Sequence, residues 1–277
     1  MFSRFKSFGL LFLLILGSAL FVAAQDEKTE DKSKEDKPKR EEKTKQQPLD
    51  IKNATPEQIA ESAIIIYGGL GGRANLNQIR RTTVENGKTR LTHPDGTTEQ
   101  INYVRRIIRG ENLEKERVRL DQDFPQARYS FIYSSGRTFG LFNETVFVPR
   151  EEAVKSFESY LWHGLEALLR YKENGSTLAI SGRDKYMGVD FIQLDVTDKQ
   201  NRQTRFFISA KTFRVMWLEY TEDGIKYQRR FYDYRYAQGT LVPYRTTLSA
   251  NDKQIEETTI STITFGQKLE EDIFQAG

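Results

Sequence analysis

From Leu178 to Phe274 the chain is a succession of short segments rich in β-branched and aromatic residues, separated by turn chemistry and nearly empty of catalytic residue types. Such residues suit a pleated, half-buried surface, and Asp223-Gly224, Gln238-Gly239 and Asn251-Asp252 supply tight turns at even spacing. The runs LAISGRDKYMGVDFIQLDV, RQTRFFISAKTFRVMWLEY and KYQRRFYDYRYAQGTLVPYRTTL, closed by a Leu269 to Phe274 clasp, predict an antiparallel β-meander. A meander of this kind encloses something. Function is therefore to be sought in the space it bounds.

The amino-terminal residues do not belong to that meander. Arg4 and Lys6 precede an apolar run from Leu10 to Val22, and small residues at Ala23 and Ala24 precede Gln25, the pattern of a secretory signal peptide over residues 1–24. The run is shorter than the ~20 residues of a spanning helix, which weighs against the alternative of a membrane anchor. Residues 25–50 alternate basic and acidic side chains and lack aromatics, so they cannot bury enough apolar area to offset ordering entropy. They are expected to form a disordered charged linker, and their mixed sign weighs against a role as an electrostatic tether. One domain is expected over residues 51–277, in an exported, soluble mature protein.

The chain has no cysteine, which excludes a disulfide framework, a thiolate metal site, a catalytic thiol and an acylated amino-terminal cysteine. Its net charge of +3 falls to +1 without Arg4 and Lys6, too little for nucleic acid to be the main partner.

Ordered structure is expected from Thr55-Pro56-Glu57-Gln58, a capping box with proline at the first helical position. That helix runs to Tyr67, and Gly68 to Gly72 ends it. The glycine cluster follows a helix and lacks Gly-Lys-Ser/Thr, so a C-cap explains it better than a phosphate cradle. Strands are predicted around residues 79–86, 100–109, 113–121, 127–133 and 138–142, with Tyr129, Phe131 and Tyr133 on one aromatic face. A single helix then opens at Pro149, Glu151 and Glu152 and runs to Lys172, with Val154, Phe157, Leu161, Leu165 and Leu168 at helical spacing. It must lay its apolar stripe on the sheet as a lid.

Four stretches together resemble the LolA-like superfamily of periplasmic lipoprotein carriers: Ser134 to Asn143, Gly182 to Phe191, Phe206 to Thr212, and Phe231 to Arg235 followed by Gly239, Val242 and Pro243. The resemblance covers most of Ile51 to Phe274 and departs from the family pattern at Gly140, where a large residue is common, and at Gly266. It implies a mainly β, α+β fold: an incomplete antiparallel barrel of about eleven strands with a helical lid over an apolar cavity for acyl chains. A curved sheet wider than about eight strands leaves such room.

Residues expected to line that cavity are Tyr129, Phe131, Tyr133, Phe139, Leu141, Phe157, Leu161, Leu165, Phe207, Trp217 and Phe231. Arg105, Arg117 and Arg128 belong to a basic group in neighbouring strands that either meets lipid head groups at the rim or pairs across strands with Glu111, Glu114, Glu116 and Asp121. The two histidines, His93 in a turn and His163 on the lid, have no metal-ligand spacing. Ser134 and Ser135 lack a nucleophile elbow, and Asp121, Asp123, Asp190 and Asp195 suit solvated strand positions better than a glycosidase pair. The expectation is a monomeric, non-enzymatic carrier without metal or cofactor, whose partners are lipid or lipoprotein acyl chains and envelope donor and acceptor proteins. An envelope sensor or interaction module using the same half-barrel is the alternative.

Overall fold

The computed structural model describes residues 51–143 and 145–275. The signal peptide and linker expected over residues 1–24 and 25–50 lie outside the described residues. Four helices occur among the described residues: α1 (Pro56–Gly68), α2 (Gly72–Ile79), α3 (Glu151–Trp162) and α4 (Leu165–Leu169). The strands are β1 (Thr82–Thr92), β2 (Thr98–Ile108), β3 (Arg117–Asp123), β4 (Arg128–Ser134), β5 (Arg137–Phe142), β6 (Thr145–Phe147), β7 (Thr177–Tyr186), β8 (Val189–Thr197), β9 (Gln203–Ser209), β10 (Val215–Glu222), β11 (Ile225–Ala237), β12 (Thr240–Ala250) and β13 (Lys253–Phe265).

All thirteen strands join in one antiparallel sheet, ordered β6-β5-β4-β3-β2-β1-β13-β12-β11-β10-β9-β8-β7. Sequence neighbours pair throughout except at one seam, where β1 meets β13 with Thr83 opposite Phe265. The ends β6 and β7 do not pair with each other, so the barrel stays open. The hairpin tips at Ser135-Gly136, Met187-Gly188, Asp223-Gly224, Gln238-Gly239 and Asn251-Asp252 all have both central residues at positive φ. That turn geometry matches the twist of the strands it joins.

The sheet has two more strands than the eleven or so that the resemblance implies. The short β6 covers Gly140: a Cβ on that residue would lie 2.5 Å from the Phe147 ring, so Phe147 occupies the space a large side chain would take at position 140. The long β13, rich in threonine and with Ile255, Ile260 and Ile263 set among polar residues, is absent from the strand reading, although threonine is a good strand former.

Two local expectations also change. Thr55 and Gln58 form the expected capping box, with Gln58 N donating to Thr55 Oγ1 at 3.2 Å and Thr55 N to Gln58 Oε1 at 2.9 Å. The glycine cluster ends α1 as expected, with Gly69 as its C-cap at φ 67°, but it leads into a second helix, so the first strand starts at Thr82 and not at Ile79. The lid is likewise two helices. The chain breaks at Gly164, where a Cβ would sit 2.6 Å from the Tyr160 carbonyl oxygen, so the close turn admits only glycine.

The main core lies between α1, α4 and one face of the sheet. Ile59, Ala63, Ile64 and Tyr67 of α1 pack with Ile192, Leu194, Phe206, Ile208 and Leu218. Tyr67 is fully buried and its hydroxyl lies 2.9 Å from that of Tyr234. On the opposite face the terminal clasp Asp272–Phe274 packs against β3 and β4, with Phe274 buried and Arg119 Nη1 donating to the Ile273 carbonyl at 3.0 Å.

Candidate functional site

Helix α1 fills the helix-bearing face only over part of the sheet. Where β1 to β3 meet β11 to β13, the space under α3 and α4 is a cavity of about 230 Å³. Alternation along the strands turns Ile107, Val118, Leu120, Phe231, Val242, Tyr244, Ile260, Ile263 and Phe265 into it from the sheet, and Phe157, Tyr160, Leu161 and Leu165 close it from the helices.

The structure brings Tyr133, Phe157, Leu161, Leu165, Phe231 and Arg105 together around this cavity. Phe131 stacks on Phe157 with ring centroids 5.6 Å apart, supporting a lid side chain from the same face. Tyr129 sits further out in an aromatic group with Phe124, Phe142 and Phe147. Phe139 is half-buried and pairs with Ile132, one register position away from the row of Phe131 and Gly140 and thus on the other face. Leu141 shares that other face, lining a hollow with Arg106, Arg119, Arg128 and Asp121. Phe207 and Trp217 also face away from the cavity, because their neighbours Phe206 and Leu218 supply the core. They stack at 4.3 Å and pack with Phe191.

The basic residues are mostly paired. Arg117 bonds Glu271 at 2.9 Å and Arg128 bonds Asp123 at 3.3 Å, both away from the cavity. Arg106 and Arg119 share Asp121, and Arg105, which does reach the cavity, bonds Glu85 at 3.1 Å. At the end of the cavity near α2, Glu166 accepts from Arg80 at 2.9 Å and Arg109 at 2.7 Å. Burial alone would raise the Glu166 pKa, but Arg109 and Arg80 hold it below the usual value. Beside them Glu116 pairs with Arg170 in full burial, and the burial pushes Glu116 up to about 7 despite its partner.

Three contributors escape the sequence reading. Tyr160 lies on the lid between two arginines, its ring centroid 3.6 Å from Arg229 Cζ and 5.0 Å from Arg105 Cζ. Arg229 gives no sign of burial in sequence, since it falls in the basic run Gln228-Arg229-Arg230. The β13 residues Ile260, Ile263 and Phe265 carry an alternation that a bulge in the strand breaks. At the junction of the lid helices, His163 is buried, stacks on Tyr220 at 4.1 Å and places Nδ1 2.7 Å from Thr204 Oγ1. Burial, with Arg202 and Arg229 nearby, holds its pKa down to about 4.

Among the described residues no helix is long and apolar enough to cross a membrane, and no group of three or more His, Cys, Asp or Glu is placed to hold a metal ion. No protein-family profile and no curated protein matches the sequence. Solved structures do match. A DUF1329 family protein from Desulfovibrio piger has a TM-score of 0.55 at 11% identity, with 80% of this chain and 98% of that one covered. A Vibrio parahaemolyticus domain named for outer membrane lipoprotein sorting has a TM-score of 0.53 at 14% identity, covering 79% and 97%. A LolA superfamily protein from Nitrosomonas europaea has a TM-score of 0.49 at 12% identity, covering 80% and 98%. At these identities the likeness is one of fold, and the chain has the LolA-like fold, an open antiparallel barrel with a helical lid.

Proposed function

We propose that this protein is a periplasmic carrier that shelters a lipid or lipoprotein acyl chain between the sheet and the α3–α4 lid. The observation that carries the reading is the cavity itself, lined mainly by aliphatic and aromatic side chains and roofed by two short helices. Each methylene buried there contributes about 0.8 kcal/mol, so ten carbons supply about 8 kcal/mol before ordering costs. That is ample for capture, and release becomes the harder step.

At about 230 Å³ the cavity is smaller than the 300–1,000 Å³ of most ligand pockets, so a full lipid requires the lid to move outward. Gly164 supplies a break at which α3, with only Ser159 fully buried, can move while α4 stays anchored in the core by Ala167, Leu168 and Leu169. The polar groups at the α2 end are already tied into arginine–carboxylate pairs, which supports binding instead of catalysis. The name of the Vibrio domain agrees with lipoprotein sorting as the setting.

The test is a titration of the purified mature protein with a fluorescent fatty acyl probe, together with lipid extraction and mass spectrometry of protein purified without detergent. Saturable binding near 1:1 and a co-purifying lipid are expected. Absence of both would overturn the carrier reading.

A further inference from the structure

A guanidinium removed from water needs acceptors, and the other buried arginines have them: Arg80 pairs with Glu166, and Arg170 with Glu116. Arg229 has no such carboxylate. It is buried at 4% exposure, no carboxylate among the described residues lies within ion-pair distance, and its Nε and Nη2 have no hydrogen-bond partner. These two nitrogens form one edge of the guanidinium, the edge whose parallel N–H groups match two oxygens of a carboxylate or phosphate.

Arg229 belongs to the cavity wall, with this edge covered by its neighbours while the lid is closed. Arg229 lines the cavity beside Thr246 and Thr258, under the Tyr160 ring of the lid. Nearby charged groups are already engaged: Arg105 holds Glu85, and Glu256 accepts the Tyr160 phenol and, at 3.0 Å, the Thr258 hydroxyl. The Tyr220 phenol is a neutral hydrogen-bonding partner for the guanidinium, but it leaves the Nε and Nη2 edge without an acceptor. Aliphatic and aromatic walls continue from Arg229 through Phe231, Ile260 and Ile263.

We propose that Arg229 is the anchor for the anionic head group of a single-chain amphiphile, a carboxylate or a phosphate monoester, whose hydrocarbon lies against Phe231, Ile260 and Ile263. This deepens the carrier reading and rests on it. The head group takes both free N–H groups in a bidentate contact, and the Tyr160 ring, now lying over the guanidinium, must yield room for it. Head-group capture and lid position are thereby coupled.

The experiment compares hexadecanoate, hexadecyl phosphate, hexadecanol and inorganic phosphate as competitors for a fluorescent acyl probe, on the unaltered protein and on Arg229→Gln. The unaltered protein is expected to bind the two anionic amphiphiles at least tenfold more tightly than hexadecanol, with inorganic phosphate ineffective at the same concentrations. In Arg229→Gln the preference is expected to shrink to about one. Equal affinity for hexadecanol and hexadecanoate in the unaltered protein overturns the head-group site while leaving the carrier reading intact. Displacement by inorganic phosphate as strong as by hexadecyl phosphate overturns the amphiphile in favour of a free anion. Failure of every amphiphile to bind overturns both. The comparison of ligands on the unaltered protein decides the matter even if Arg229→Gln does not fold.

Discussion

His163 caps the end of α3, with its ring stacked on Tyr220 and its Nδ1 against Thr204, and this burial favours the neutral imidazole. Because its folded pKa of about 4 lies below the ordinary 6.5, the unfolded chain takes up the proton first as pH falls. The stability that neutral His163 contributes is complete above about pH 6.5 and is lost as pH drops toward 4, a loss of about 3 kcal/mol. Urea unfolding at pH 7 and pH 4.5 is expected to show the decline, and His163→Gln, which keeps a group able to reach Thr204, is expected to flatten it. An identical decline in the variant would assign the effect instead to Glu166 and Asp121, whose arginine partners hold their pKa values below the usual carboxylate range. This residue was visible in sequence only as one of two histidines without metal spacing. Its role depends on Tyr220 and Thr204, which are far along the chain and enter the site only through folding.

At the scale of elements, the lid is the part on which the carrier reading depends. Leu161 is half-buried against the cavity, and the ladders of the sheet run without any contribution from α3. Leu161→Glu is therefore expected to weaken acyl-probe binding at least tenfold while circular dichroism keeps its β signal. Global unfolding of the variant would show that the helix is core, since an unpaired buried carboxylate then costs several kcal/mol. The helix stripe Phe157, Leu161 and Leu165 was legible because its spacing repeats with the helical period. The inward residues of β4 and β11, Tyr133 and Phe231, were legible because strand alternation and aromatic content agree. Phe207 and Trp217 were assigned to the cavity for their size, but alternation gives Phe206 and Leu218 to the core and sends these two to the other face. Which face of an aromatic strand points inward cannot be decided from a strand that is apolar on both faces. The break at Gly164 was hidden because α3 and α4 keep nearly one hydrophobic register across it.

For the whole molecule, an open sheet leaves two edges to protect. One is the three-residue β6, and the other is β7, whose exposed Arg183, Asp184 and Lys185 deter pairing with another chain. Asp184→Val combined with Lys185→Val is expected to raise light scattering on storage while moving the thermal midpoint little, since both side chains are exposed. Unchanged scattering would show that the edge is guarded some other way.

The seam between β1 and β13 has a consequence for how the molecule comes into being. Every other strand pair is a neighbour in sequence and closes a short loop, whereas Thr83 must find Phe265 from the far side of the chain. Long loops are entropically slow to close, so two separate meanders are expected to form before this seam does. Pulse-labelled hydrogen exchange is expected to protect amides bonded between β1 and β2 and within β8 to β11 ahead of those bonded between β1 and β13, and simultaneous protection would contradict it. Thr83, Glu85, Ile263 and Phe265 of the seam all line the cavity, so the binding chamber is the last room finished: until the two halves lock, the protein holds an apolar floor with no walls around it.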